Sequence, residues 1–407
     1  MTRAAAISFV SGAALAAAAP VVTLPMHKHT IDSGPRSALF TQLTNGSSIP
    51  AGGAVWPTAI YWTTVQVGTP AVDFPVAIDS GSGDLDISGA GCAGCPTAAP
   101  NAAYDHASSS TAHAAFPYKF SNSYQTCDVT HPTAVCSISG GLYKDQVSLA
   151  GLGPVEVTLG SIAKQDANFD QFKEIGGVMG FTMGQKKNVF ASLVAAGKCE
   201  NVWAMCMKEG TVSNGTITIG GVDARLSSNV SYVPDVGNGF HSVQVAAINL
   251  DPSAGGGGGG GGSASISVGE AAILDTGTNI LLAPTKVMSG LETAMCADKS
   301  LQSCAELWAN KCVDLTDAQL AAYPSMSLVL SNGVELRMGA HDYLLRGSPL
   351  ASAASQYCIG IRDGGSAGGS GFIIGDTTMR NYYLVFDLAQ KQIGWGPIDD
   401  SSACGSI

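Results

Sequence analysis

The chain has 407 residues, of which 45% are hydrophobic, and this is enough for two lobes that each bury a core. Its 31 acidic and 20 basic residues give a formal net charge of −11 at pH 7, which argues against nucleic acid and anionic membranes as partners. Few basic groups suit an acidic compartment, because they limit cationic self-repulsion once the carboxylates are protonated.

The N-terminus is typical of a secretory signal peptide, which we predict over residues 1–19. Arg3 precedes an apolar run from Ala4 to Ala19, and small residues come before Pro20. A signal anchor is the alternative, but the run is short and rich in alanine for a bilayer span. No second apolar run reaches transmembrane length, so we expect no stable membrane insertion of the mature protein.

The remaining elements are predominantly short strands. Runs rich in Val, Ile, Thr and Tyr alternate with turn clusters, which predicts a mainly β protein. Clear strands are predicted at Val155 to Leu159, Thr216 to Ile219, Ser327 to Leu330 and Tyr382 to Phe386. Helices are predicted at Asn188 to Ala196 and Lys286 to Ala297.

One tetrapeptide pattern, Asp-Ser/Thr-Gly-Ser/Thr, occurs twice, each time after an apolar run. Its residues are Asp79, Ser80, Gly81 and Ser82 in the first copy, and Asp275, Thr276, Gly277 and Thr278 in the second. One match in a chain of this length is a few-per-cent accident, and two in the same frame are roughly a hundred-fold rarer. A single copy would indicate only a turn, so the repetition carries the information.

A second feature repeats with the tetrapeptide, namely an apolar pair followed by glycine. Gly180 lies 101 residues after Asp79, and Gly375 lies 100 residues after Asp275. This spacing predicts two lobes of similar plan.

Paired carboxylates on such loops fit acid and base catalysis. Gly81 and Gly277 permit a tight turn, and the neighbouring hydroxyls can hydrogen-bond the carboxylates. If the loops meet, two close like charges cannot both ionise easily, so one proton stays on the pair. The ionised group can then deprotonate water while its partner polarises an amide carbonyl.

The sequence contains no motif that is typical of metallopeptidase, serine hydrolase, zinc-binding or phosphate-binding sites. The chain contains no His-Glu-x-x-His and no Gly-x-Ser-x-Gly motif, and Cys92 to Cys95 is its only Cys-x-x-Cys. The glycine run Gly255–Gly262 precedes no Lys-Ser/Thr, so we predict a flexible surface loop between two strands rather than a phosphate loop. We expect no metal and no cofactor.

Cysteines and sequons agree with an oxidising lumen. Eleven cysteines after a secretory signal indicate disulfides, and the odd count leaves at least one thiol unpaired or intermolecular. Asn45, Asn214 and Asn229 each begin an Asn-x-Ser/Thr sequon, and the last two are the glycosylation candidates.

From about Tyr61 to about Pro397 the chain resembles the pepsin-like aspartic peptidases. Besides the two Asp loops, it shares their opening strand (YWTTVQVGTP), the strand after the flap (DQVSLAG) and the closing segment from Gly371 to Trp395. The resemblance implies a bilobal fold with pseudo-twofold related lobes and the active site in the cleft between them. It also implies that Asp79 and Asp275 are catalytic and that the other residues of both tetrapeptides support them.

The resemblance further implies a precursor with a defined division of the chain. Residues 20–55 look like a propeptide, residues 56–236 the N-terminal lobe, residues 237–400 the C-terminal lobe and residues 401–407 a short tail. We hypothesise that Lys28 or Arg36 pairs with the two carboxylates near neutral pH and is released on acidification.

Disulfide pairings follow from the same resemblance. It pairs Cys312 with Cys358 and Cys92 with Cys95, and it suggests that Cys206 with Cys404 ties the closing segment to the first lobe. Cys127 with Cys136 would close an insertion in the flap, while Cys199, Cys296 and Cys304 stay unassigned.

Three departures from the family pattern concern the active site. The first loop has Ser80 where Thr is commoner, and Asp86 stands where many relatives have a Trp seven residues after the first catalytic Asp. Counting back from Asp145 finds no Tyr at the expected flap position. Tyr124 is our candidate for the flap tyrosine, and an ordinary surface tyrosine is the alternative.

These observations predict an aspartic endopeptidase that is secreted or vacuolar/lysosomal and cuts polypeptides at acidic pH, with a preference for apolar residues that the resemblance alone implies. We expect a monomer. The alternative is a catalytically silent binding or inhibitor protein on the same scaffold, and a milder alternative is an enzyme of narrow specificity.

Overall fold

A computed structural model describes residues 22–29, 60–95, 103–125, 135–166, 175–183, 188–207, 214–237, 239–252, 263–348, 350–365, 371–398 and 404. The strands of the first half are β1 (Val22–His29), β2 (Ile60–Val67), β3 (Val72–Asp79), β4 (Leu85–Ala93), β5 (His113–Gln125), β6 (Val135–Leu149), β7 (Leu152–Gln165), β8 (Gly177–Gly180), β9 (Val202–Met207), β10 (Asn214–Ile219) and β11 (Ser231–Pro234). Those of the second half are β12 (Ser242–Asp251), β13 (Ala264–Leu274), β14 (Leu281–Ala283), β15 (Val313–Asp314), β16 (Ser325–Leu330), β17 (Glu335–Met338), β18 (Leu344–Arg346), β19 (Gln356–Ile359), β20 (Ile361–Asp363), β21 (Ile373–Ile374), β22 (Tyr382–Asp387) and β23 (Gln392–Pro397).

Helices are few and short. They are α1 (Val189–Ala195), α2 (Thr285–Cys296), α3 (Cys304–Trp308), α4 (Asp317–Ala322), α5 (Ala340–Tyr343) and α6 (Asp376–Met379), with a 3-10 turn at His106–Ser108. The side chain of Asn188 caps α1 by accepting a hydrogen bond of 2.6 Å from the Ala191 amide. Both predicted helices and the predicted mainly β class are confirmed.

Two large sheets organise the molecule. Thirteen strands form one sheet in the order β11-β23-β22-β9-β10-β1-β2-β3-β8-β4-β7-β6-β5. Seven strands from the second half form the other, in the order β17-β16-β12-β13-β21-β14-β20, and β15, β19 and β18 make a small third sheet. The fold is the bilobal pepsin-like one.

The repeated apolar pair plus glycine is a structural repeat. β3 lies parallel to β8 with Asp79 opposite Gly180, and β13 lies parallel to β21 with Leu274 opposite Ile374. A Cβ on Gly180 would overlap the Ser82 carbonyl oxygen, and one on Gly375 would overlap that of Thr278. Each glycine is therefore required for close packing beneath an Asp loop.

The closing strands join the large sheet rather than the sheet of the second half. β22 pairs with β9, with Phe386 opposite Trp203, and these two rings stack with centroids 4.0 Å apart. A disulfide between Cys206 and Cys404 fastens the end of the chain to β9. The large sheet thus includes strands from both ends of the sequence.

The strand β1 lies inside the large sheet. It pairs antiparallel with β10 on one side and with β2 on the other. The rest of the predicted signal peptide and propeptide, including Arg36, lies outside the described residues. The same is true of Gly255–Gly262, whose flanking strands β12 and β13 pair with Leu250 opposite Ala264.

Four disulfides are described. Three join the cysteines that the resemblance pairs, namely Cys92–Cys95, Cys206–Cys404 and Cys312–Cys358. The fourth, Cys296–Cys304, links the end of α2 to the start of α3 and was not assigned from the sequence. Cys136 is disulfide-bonded, and its expected partner Cys127 lies outside the described part of the chain.

Cys199 is a buried free thiol. Burial, with a smaller contribution from the charge of Glu200, raises its pKa to about 11. None of the helices in the described ranges is long and apolar enough to span a bilayer.

Candidate active site

The two Asp loops meet at the ends of β3 and β13. A Cβ built on Gly81 would lie 2.5 Å from Asp275 Oδ1, and one on Gly277 would lie 2.7 Å from Asp79 Oδ1. Each glycine therefore faces the carboxyl group of the opposite loop. The charge of Asp275 also acts on the carboxyl group of Asp79, so the two groups share one site.

Crossed hydrogen bonds fix this arrangement. The Ser80 amide donates to Thr276 Oγ1 at 3.0 Å, and the Thr276 amide donates to Ser80 Oγ at 2.9 Å. The Ser80 hydroxyl donates in turn to the Leu274 carbonyl at 2.8 Å, and the Thr276 hydroxyl donates to the Ile78 carbonyl at 2.8 Å. Each loop is thus bonded to the opposite loop and to the strand that carries that opposite loop: the first loop to β13 and the second loop to β3.

The immediate hydrogen-bond donors differ between the two carboxyl groups. The Gly81 amide donates to Asp79 Oδ1, and the Gly277 amide donates to Asp275 Oδ1, both at 2.8 Å. Asp275 also accepts a bond of 2.7 Å from the Thr278 hydroxyl. The buried Ser82 hydroxyl favours the ionised form of Asp79, but its geometry falls short of a full hydrogen bond.

Burial and mutual repulsion make the two carboxyl groups ionise as a pair. Burial raises the pKa of Asp79 well above the usual range of a carboxyl group, and the charge of Asp275 raises it further. Two carboxyl groups this close cannot both ionise easily, so the pair retains one proton.

The candidate flap tyrosine lies beside this pair. Tyr124 is half-buried near the end of β5, opposite Cys136 of β6, and its hydroxyl donates to Asp86 Oδ2 at 3.3 Å. The charge of Asp79 is close enough to contribute to the raised pKa of the Tyr124 phenol, after burial and the charge of Asp86. This position differs from that of an ordinary surface tyrosine.

Asn122 was not singled out from the sequence, although its side chain donates to the same Asp86 oxygen at 2.7 Å. Its spacing of two from Tyr124 puts both residues on one face of β5, which was the available signal. His241, a buried residue that contacts Asp235 and the Phe181 carbonyl, was missed as well. No three His, Cys, Asp or Glu side chains converge as metal ligands in the part of the chain that the structure describes.

The glycosylation candidates lie outside the site. Asn229 is exposed between β10 and β11. Asn214 begins β10, and its side chain lies outside the described part of the structure.

Two lobes of repeated plan that each contribute an Asp loop to one site define the pepsin-like class of aspartic peptidases. Residues 60–398 match the family model described as eukaryotic aspartyl protease. Because this match spans most of the 407 residues, the chain belongs to the eukaryotic aspartyl protease family.

Similarity to individual relatives is low but extends over most of each chain. The chain is 23% identical over 349 residues to pepsin A of Suncus murinus, covering 83% of this chain and 81% of the relative. It is 24% identical over 353 residues to pepsin A of Bos taurus, covering 83% of this chain and 84% of the relative. It is 25% identical over 372 residues to aspartic proteinase 36 of Arabidopsis thaliana, covering 84% of this chain and 75% of the relative.

Proposed function

We propose that the protein is an aspartic endopeptidase that hydrolyses polypeptides at acidic pH through a water molecule activated by Asp79 and Asp275. The observation that carries this proposal is the shared site itself. Two buried loops bring their carboxyl groups together, and burial together with the charge of Asp275 raises the pKa of Asp79, which favours one acid and one base in the pair. Pairs of titratable groups whose environments separate their protonation states are typical of acid and base catalysis.

In this mechanism the carboxylate of the pair takes a proton from water, and the water oxygen attacks the scissile carbonyl carbon. The acid of the pair donates its proton to the carbonyl oxygen as the tetrahedral intermediate forms. Collapse of the intermediate breaks the C–N bond, and the proton taken from water passes to the leaving amine. A hydroxyl proton of the intermediate returns to the group that acted as the acid, which restores the starting state of the pair without a covalent intermediate.

The substrate is an extended polypeptide. A sheet-rich cleft can bind such a chain partly through its backbone, which tolerates many sequences. A preference for apolar residues beside the cleaved bond rests on the family resemblance. Described disulfides fit passage through the secretory pathway to an extracellular, vacuolar or lysosomal destination.

The protein would be made as a precursor whose segment 20–55 restrains activity at neutral pH. The pairing of β1 with β2 and β10 is compatible with such a segment packed on the enzyme. Replacing Lys28 and Arg36 together by Gln tests whether these cations cause the latency. A double variant as latent as the wild type at neutral pH would contradict that role.

The experiment that tests the proposal measures cleavage of unfolded casein between about pH 3 and pH 7, with and without pepstatin. We expect acid-peaked, pepstatin-sensitive cleavage that falls by about a hundred-fold or more in Asp79→Asn and in Asp275→Asn. Asp73→Asn is the matched control, because Asp73 is an exposed carboxylate of the same strand β3. We expect this control to cleave like the wild type.

Folded protein that cleaves nothing under any activation condition would contradict the proposal. That result would favour a catalytically silent binding or inhibitor protein on the same scaffold.

A further inference from the structure

Asp86 is a buried carboxyl group that the proposed mechanism does not use. It is the second residue of β4, and only 1% of its surface is exposed. Its Oδ2 atom accepts hydrogen bonds from the Asn122 amide at 2.7 Å and from the Tyr124 hydroxyl at 3.3 Å. Both donors belong to β5, so one buried carboxyl joins β4 to the strand that carries the flap tyrosine.

Gly160 provides the space that this carboxyl occupies. β4 and β7 are parallel, and Asp86 is in register with Gly160. A Cβ on Gly160 would collide with Asp86 Oδ1 and would lie 2.7 Å from the ring of Phe120, another β5 residue. The packing under β5 therefore accommodates a carboxyl at position 86, and this is independent of the hydrogen bonds.

We infer that Asp86 is a positioning residue that anchors β5 and fixes the Tyr124 ring beside the dyad, in place of the Trp that many relatives have at this point of the sequence. This inference rests on the proposed peptidase function and concerns the same site. Asp86 acts through Tyr124 and Asn122 and does not take part in the chemistry.

The groups around Asp86 determine its charge. Asp84 lies just before β4, Asn122 and Tyr124 face it from β5, Gly160 lies opposite on β7, and Asp79 lies beyond Tyr124. Burial raises the pKa of Asp86 to about 7; the bonds from Asn122 and Tyr124 oppose this rise, and the charge of Asp84 adds to it.

The carboxyl of Asp86 is therefore neutral at the acidic pH of the proposed reaction. With its proton on Oδ1, Oδ2 can still accept both hydrogen bonds. The anchor then persists without adding a negative charge next to the dyad. An Asn at this position would reproduce the neutral acceptor, whereas an Ala would remove it.

The test compares Asp86→Ala, Asp86→Asn, Tyr124→Phe and the double variant Asp86→Ala/Tyr124→Phe. KM and kcat are measured on one peptide at acidic pH, and amide hydrogen exchange is measured over residues 119–124. Asp73→Ala is the control, because Asp73 is an exposed carboxyl of β3 whose side chain accepts a hydrogen bond from Gln66 of β2 and not from β5; Asp84 is unsuitable because Asn122 also donates to it at 3.3 Å.

For Asp86→Ala we expect about a ten-fold rise in KM, a smaller change in kcat and faster exchange in β5. Asp86→Asn should restore most of the wild-type KM and exchange. The double variant should be little worse than Asp86→Ala, since both substitutions break the same contact. The Asp73→Ala control should keep the wild-type exchange pattern.

Unchanged KM and exchange in Asp86→Ala would overturn the inference, and so would simple addition of the two single effects. If Asp86→Ala does not fold, the Tyr124→Phe variant tests the inference instead, because it removes only one hydroxyl group. Unchanged KM and unchanged exchange in Tyr124→Phe would also overturn the inference that Asp86 anchors β5. If the wild type cleaves nothing, exchange alone still decides on the anchor. An anchor that fails while the dyad variants abolish cleavage leaves the proposed function intact.

Discussion

Gly81 and Gly277 each serve the carboxyl group of the opposite loop. A methyl group at Gly81 would lie 2.5 Å from Asp275 Oδ1, which is too close for unstrained contact. The Asp275 side chain is held by Thr278 and Gly277, so it cannot move away without breaking a bond.

We therefore predict that Gly81→Ala lowers kcat by about a hundred-fold, since small misplacements of reacting groups have effects of this size. Gly339→Ala is the control, because a Cβ there would meet only Asp342 Oδ2 at 3.7 Å. Both variants should show wild-type circular dichroism. A folded Gly81→Ala protein with wild-type kcat would show that the two loops do not need this close approach.

At the scale of residues, the sequence predicted which loops matter but not how their hydroxyls are used. Ser80 and Thr276 were expected to support the carboxylates, and they instead donate to main-chain carbonyls across the interface. A repeated tetrapeptide identifies equivalent positions, but it does not reveal where a hydroxyl points. Asn122 was missed because its function depends on Asp86, which belongs to a different strand.

Individual elements are joined by a buried ion pair between β11 and β12. His241 is fully buried; its Nδ1 lies 2.8 Å from Asp235 Oδ2, and its Nε2 lies 3.1 Å from the Phe181 carbonyl. Both partners are acceptors, so the ring satisfies both contacts only in its doubly protonated, positively charged form. Burial tends to raise the pKa of Asp235, but hydrogen bonds from His241, Ser242 and Gly237 outweigh it and lower the pKa.

We predict that Asp235→Asn lowers the free energy of unfolding by about 3 kcal/mol near pH 6, because it leaves a buried charge unpaired. A lowered carboxyl pKa stabilises the fold above the unfolded value near 3.9, and this contribution is lost as the pH falls through the folded value. The deficit should therefore shrink in acid. Denaturant titrations of the wild type and Asp235→Asn, near pH 6 and in acid, measure this difference in the free energy of unfolding.

Glu335→Gln is the control for that prediction. Glu335 pairs with Arg337, their side chains are 37% and 72% exposed, and exposed pairs contribute about 1 kcal/mol or less. An equal loss of stability in the two variants would contradict the role assigned to the buried pair.

At the scale of elements, local signals predicted α1 and α2 correctly because Asn188 is a good helix cap and α2 has an apolar face. The sequence could not predict that β22 and β23 pair with β9 and β11, because these strands are distant in the chain. Cys296–Cys304 was unassigned since it depends on how α2 ends and α3 begins.

For the whole molecule, two buried carboxyl groups govern how stability depends on pH. The pKa of Asp79 is raised above its usual value, and that of Asp86 is raised to about 7. A raised carboxyl pKa means that the folded state binds its proton more tightly than the unfolded state. The stabilising contribution of such a carboxyl group is complete below about pH 4, and for Asp86 it is lost as the pH rises to about 7.

We therefore predict that the melting temperature falls between about pH 4 and about pH 8, and that Asp86→Asn makes this fall shallower. Thermal denaturation of both proteins in matched buffers measures the difference. Parallel curves for the two proteins would show that Asp86 does not contribute to the pH dependence.

The two-lobed plan was predictable because the Asp loop and the apolar pair plus glycine repeat at nearly equal spacing. The position of the first strand was not predictable. β1 was assigned to a propeptide by resemblance, and the structure shows it between β10 and β2. Its partners are 31 or more residues away, so no local pattern signals the pairing.

This internal position has a consequence for any cut made in residues 30–59. Residues 22–27 of β1 would keep their pairing with β10, and residues 27–29 would keep theirs with β2. The departure of β1 would open a gap about 10 Å wide between β10 and β2. Processing there should therefore yield a two-chain molecule whose light fragment stays bound. Its mass would appear with the heavy chain under native conditions and separate from it only after denaturation.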